Sequence, residues 1–208
     1  MILPSRIPVP DHRNQEEWID GTRSARIFCV SLFAALATIS VLSGCAGRNA
    51  GQSPAERGKY LATAGGCGDC HSPKTFTAAG PVPDTTRLLS GYPSRAKLPE
   101  IPKGILGPAQ WGAITTNDMT AWAGSWGVSF AYNLTPHPAT GIGNWDETLF
   151  IQSLRTGKFM GTSRDMLPPM PWQELGSMKD DDLKAIFSYL KSLPPIENEI
   201  PASLPPSQ

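Results

Sequence analysis

Five consecutive residues, Cys67-Gly68-Asp69-Cys70-His71, constrain this chain more than any other stretch. Two thiols three positions apart, with a histidine directly after the second, form the arrangement in which each sulfur adds to one vinyl group of a haem. The adjacent imidazole is then held beside the iron as an axial ligand. A chain built this way folds around a flat apolar disc. Other uses of the same residues fit less well. A thioredoxin-like C-x-x-C expects a preceding strand and a βαβ pattern, and neither is visible. A zinc site needs four ligands, and the nearest further candidate is His137. A simple disulfide between Cys67 and Cys70 stays open in an oxidising compartment.

The other two cysteines have a different assignment. Arg23 and Arg26 precede an apolar run from Ile27 to Leu42, which contains Cys29 and ends in Leu42-Ser43-Gly44-Cys45. A basic flank, an apolar stretch of this length and small residues behind it read as a secretory signal. The ending resembles a bacterial lipobox. That resemblance implies removal of residues 1–44, lipidation of Cys45, and a lipid anchor on the periplasmic side of a bacterial membrane, with residues 45–53 as tether. An uncleaved membrane span is the alternative, and it leaves the rest of the chain on the same side. Lys plus Arg and Asp plus Glu balance at 18 each. A nucleic-acid partner is therefore not expected.

Helix signals frame the motif. Ser53-Pro54-Ala55-Glu56 is a capping box with Pro at the first helical position, opening a helix to about Ala64 that Gly65 and Gly66 end. A second helix is expected from about Trp145 to Thr156, capped by Asn144 and stopped by Gly157. A third follows from Leu183, Ile186, Phe187, Leu190 and Leu193 at helical spacing, with Asp180, Asp181 and Asp182 in its first turn and Pro194-Pro195 after it. Between motif and second helix, Val128, Phe130, Tyr132 and Leu134 alternate with Ser129, Ala131 and Asn133 as a half-buried strand. Ile114 to Thr116 is expected to pair with it as a small hairpin. The Pro-rich tail, 196–208, is expected to be extended or disordered.

This order of elements is similar to class I (mitochondrial-type) c-type cytochromes. Tyr132-Asn133-Leu134-Thr135-Pro136, Thr140-Gly141-Ile142-Gly143-Asn144-Trp145, Leu154-Arg155-Thr156-Gly157 and Pro168-Pro169-Met170-Pro171-Trp172 narrow the likeness to cytochrome c subunits of periplasmic dehydrogenases. The resemblance implies an all-α, cytochrome c-like domain over 54–195. Three main helices would surround one covalent haem c, with a loop-rich insertion holding a small β-hairpin. First and last helices would cross with Gly58 at the close approach and Tyr189 as its partner. The His71 ring N–H would donate to the carbonyl of Pro81 or Pro83, and Trp145 and Arg155 would reach a propionate or pack on the haem. His137 stands where the family usually has Asp.

The second axial ligand is read as Met170, set between prolines in a segment with little freedom to lose. Met166, Met160, Met119 and His137 are the competitors. The main reading is a non-enzymatic single-electron carrier between redox partners such as a dehydrogenase, an oxidase or another cytochrome. The alternatives are a dehydrogenase's cytochrome subunit and a peroxidase-like enzyme.

Overall fold

Ser53 starts the first helix in the computed structural model, which describes residues 51–206. The expected leader over 1–44, Cys45 and the first part of the tether lie outside the described residues. The Ser53 hydroxyl accepts the Glu56 N–H at 3.2 Å, and the Glu56 carboxylate accepts the Ser53 N–H at 2.8 Å. Two donors orphaned by the helix end are thereby satisfied. Helix α1 spans Pro54–Ala64. Gly66, left-handed at φ 68°, turns the chain into α2, Cys67–His71. Helix α3 spans Glu147–Thr156 and begins later than expected. Asp146 caps it instead of Asn144, accepting the Leu149 N–H at 2.7 Å. Asn144 donates to the Pro138 carbonyl at 3.0 Å. Helix α4 is Trp172–Gly176 and α5 is Asp180–Ser192.

Helices α1 and α5 cross in close contact. A Cβ on Gly58 would stand 1.8 Å from the Ala185 carbonyl oxygen, so a side chain there has no room. The atoms nearest that position belong to the Ala185–Ile186 backbone, and Tyr189, one turn further along α5, is buried in the core. Arg57 and Asp182 form an ion pair between the two helices. Leu183 and Leu190 are fully buried and join Ile142, Phe150, Leu154 and Ile186 in the core. Each such burial contributes roughly 1.5–3 kcal/mol of transfer free energy.

The all-α expectation is not met. Among the described residues, helix makes up only 32% and strand 15%, with two small sheets. Strands β1, Lys74–Thr77, and β2, Gly80–Pro83, form an antiparallel hairpin with Phe76 opposite Pro81 and Lys74 opposite Pro83. The prolines alternate along the strand, so both fall on pairs that exchange no N–H bond. Two prolines in four residues hide this strand from a pattern reading. The second sheet runs in the order β3 (Ala113–Thr115), β4 (Ala121–Gly124) and β5 (Gly127–Phe130). The Ile114 segment therefore pairs with β4, which lies between it and β5. Ala-Trp-Ala-Gly carries no polar alternation and gives no strand signal.

The tail is extended and tied down. Asn133 and Thr135, both fully buried, hold Ile196: Asn133 Nδ2 donates to its carbonyl at 2.8 Å and its N–H donates to Thr135 Oγ1 at 3.1 Å. Asn198 Nδ2 donates to the Ser90 and Tyr92 carbonyls at 2.7 and 2.9 Å. Val128 and Leu204 exchange two backbone bonds of 2.9 Å.

Candidate functional site

One cavity of about 440 Å³ lies beside α2, with Cys67, Cys70 and His71 all in its wall. Helical spacing brings this about: positions i, i+3 and i+4 share one face. Both thiols are free. Burial pushes the Cys67 thiol up to about 11, and burial followed by the Asp69 charge raises Cys70 as well. Among the described residues, no group of three or more His, Cys, Asp or Glu side chains is arranged to hold a metal ion.

His71 is buried, and its Nδ1 lies 2.7 Å from the Tyr132 carbonyl oxygen. A carbonyl only accepts, so Nδ1 carries the proton and Nε2 keeps its lone pair. Burial pushes the imidazole pKa down, favouring this neutral form. The partner is neither Pro81 nor Pro83. The chain after His71 is diverted into the β1–β2 hairpin, which closes on itself when the Asp84 N–H donates to the Pro73 carbonyl at 2.8 Å. Tyr132 is brought in through Gly91, whose N–H donates to the His71 carbonyl at 2.7 Å. Gly91 has φ 81°, and a Cβ there would meet the Ala131 oxygen at 2.5 Å.

Lys74 supports the same wall. Its Nζ donates to the carbonyls of Gly68, Asp69 and Ser72 at 3.1, 2.8 and 2.6 Å. A cation at the C-terminal end of α2 satisfies carbonyls that the helix leaves open. Nothing in the sequence spacing marks this residue.

Met170, Met166 and Met119 also line the cavity, the first two from the segment between α3 and α4. Met160 is exposed and is not in the lining. His137 is not there either. Its Nδ1 accepts the Thr140 N–H at 3.1 Å within its own turn, a task that an aspartate carboxylate performs equally.

Trp145 is in the lining and packs with Tyr132 and Phe159, at centroid distances of 6.4 and 5.4 Å. Arg155 is placed elsewhere. Its guanidinium donates to the Gly176 and Met178 carbonyls and pairs with Asp180, fastening the end of α3 to the start of α5. The arginine at the cavity is Arg164, 4.8 Å above the Phe159 ring. A reading from the likeness misses it, because the matching motif lies on the helix.

The cavity fits a haem by size and chemistry. Its wall is mostly apolar and holds two thiols on one helix face, a neutral imidazole with one free nitrogen, and methionine thioethers.

No family model matches the chain. Among curated proteins, it is 31% identical over 155 residues to the cytochrome c subunit of the quinone-dependent alcohol dehydrogenase of Gluconacetobacter polyoxogenes, covering 73% of this chain and 25% of that protein. It is 29% identical over 140 residues to the fructose dehydrogenase cytochrome subunit of Gluconobacter japonicus, covering 66% and 22%. It is 28% identical over 135 residues to the gluconate 2-dehydrogenase cytochrome c subunit of Pantoea cypripedii, covering 64% and 22%. The chain thus spans a quarter or less of the length of these relatives.

Proposed function

We propose that this chain is a c-type cytochrome with one covalent haem c, passing single electrons as the cytochrome subunit of a dehydrogenase complex. The observation that carries the reading is the wall made by α2, where Cys67, Cys70 and a tautomerically fixed His71 face one haem-sized cavity. Cys67 and Cys70 would hold the haem by thioethers, with His71 and Met170 as axial ligands. When bound, haem supplies a one-electron ferrous/ferric couple. The chain's own residues do the rest. The Tyr132 carbonyl orients the His71 ring. Met170 would supply a thioether to the iron, which would leave the group to carry electrons rather than bind a substrate. Phe150, Leu154 and Trp145 keep water from the cavity.

The names of the relatives favour a subunit over a free carrier, since each belongs to a dehydrogenase. The lipobox supports a lipid anchor at Cys45 and a periplasmic location. Arg164 takes the role that the likeness gives to Arg155. It is the one Lys or Arg side chain in the lining and has no ion-pair partner among the described residues, so it would face a haem carboxylate.

The test is expression of the full chain with its neighbouring genes and a haem-attachment system. Co-purification of a dehydrogenase that reduces this chain on addition of its substrate supports the subunit reading. A red protein that purifies alone and is reduced only by diffusing donors contradicts it.

A further inference from the structure

The loop-rich insertion from Ser72 to Ala131 contributes Trp122, Ser129 and Phe130 to the cavity wall. One hydrogen bond gives it a more specific task. We propose that Ser129 is a positioning residue for the Met170 thioether, acting through the backbone of the loop that carries it. The inference rests on the proposed ligation by Met170.

The loop Leu167-Pro168-Pro169-Met170-Pro171 has three prolines and so few N–H groups with which to hold itself. Its backbone bonds are Met170 N–H to the Leu167 carbonyl at 3.3 Å, Trp172 N–H to the Met170 carbonyl at 2.9 Å and Leu175 N–H to the Pro171 carbonyl at 3.1 Å, none of which reaches beyond α4. The Pro168 carbonyl, two residues before Met170, accepts the Ser129 hydroxyl at 2.6 Å. The Ser129 oxygen in turn accepts the Trp126 indole N–H at 3.3 Å. With that donor on its lone pair, the hydroxyl proton points to Pro168. Ser129 is only 9% exposed, so little water competes for the bond.

The post that bears this hydroxyl is fixed on both sides. Strand β5 pairs with β4 along one edge, Trp122 standing opposite Ser129. Along the other edge, Val128 exchanges its two 2.9 Å bonds with Leu204 of the tail. A Cβ on Gly127 would lie 2.0 Å from the Leu204 oxygen, so the tail presses directly on the strand. Ser129, Pro169 and Met170 all face the same cavity. Insertion and tail are joined by the Val128–Leu204 bonds, and the Ser129 hydroxyl joins the methionine loop to them.

The experiment follows the near-infrared sulfur-to-iron absorption band in the haem-loaded full chain as pH and temperature rise, with far-ultraviolet circular dichroism recording global unfolding. Wild type, Ser129→Ala, Ser129→Thr and Trp126→Phe are compared. Ser129→Ala should raise the equilibrium constant for thioether loss about five- to tenfold, the worth of one hydrogen bond. Its band should vanish before the fold melts. Ser129→Thr should keep the band, and Trp126→Phe should shift it the same way by less, which preserves the test if Ser129→Ala does not fold. A band in Ser129→Ala that matches wild type, or that disappears only together with the fold, overturns the proposal. A wild-type protein without the band, or a Met170→Ala variant that retains it, instead refutes Met170 ligation and the inference with it.

Discussion

The two walls of the cavity are built in opposite ways. The α2 wall is contiguous: five residues supply both thiols and the imidazole, and one short helix puts them on one face. The facing wall is assembled. Met170 sits on a proline-rich loop whose side-chain tie to the rest of the fold comes from Ser129, on a strand clasped by the tail. The first wall needs only local geometry, whereas the second needs most of the domain to fold first. Substitutions in α2 should therefore remove the cofactor outright, and substitutions opposite should tune it.

The largest expected effect sharpens that contrast. Replacing Cys67 and Cys70 together by Ala should abolish covalent haem, read as loss of haem-linked peroxidase stain on a denaturing gel. Met170→Ala should leave haem attached but remove the sulfur-to-iron band and lower the midpoint potential, because a soft thioether favours ferrous iron. If Met166→Ala does this instead, the facing wall has been misassigned.

Supporting residues give smaller shifts. Lys74→Met removes one donor from each of three carbonyls and should cost ~1 kcal/mol in thermal unfolding, because the ammonium is partly solvated. Arg164→Gln should slightly lower the potential and make it fall with rising pH in the mildly acidic range. A carboxylate without its cation titrates higher and favours ferric iron once ionised. The smallest effect is acid-dependent. The Thr86 hydroxyl, then Arg87, hold the Asp84 carboxyl down to about 2 from its ordinary 3.8. Its contribution, under ~1 kcal/mol because the partner Arg87 is solvated, is present above 3.8 and is lost as pH falls towards 2. Asp84→Asn should destabilise the protein at about pH 6 and make no difference once the pH is below about 2, as acid denaturation curves would show.

The same contrast explains how much of the molecule is legible in its sequence. The motif, the Ser53 capping box and the Leu183–Leu190 spacing are local patterns, and the structure contains the corresponding helices. Strand β4 carries no periodicity, and β2 hides behind its prolines. The His71 partner is a backbone carbonyl, which every residue possesses, so no residue type could single out Tyr132. The likeness points to proline carbonyls because it takes the chain after His71 as a simple loop, but here that chain folds into a hairpin. Arg155 is drawn away by the Gly176 and Met178 carbonyls and by Asp180, partners more than twenty residues on, while Arg164 reaches the cavity from the loop after α3. The Ser129 tie is equally hidden, since a serine in an alternating run reads as the solvent face of a strand.

Intact-mass measurement of the mature protein after expression with a haem-attachment system tests the central claim most directly. A mass exceeding the polypeptide by one haem, and falling to the bare chain in the Cys67→Ala, Cys70→Ala variant, is the expected result. A colourless protein whose mass shows Cys67 and Cys70 joined to each other, or retaining zinc, would contradict it.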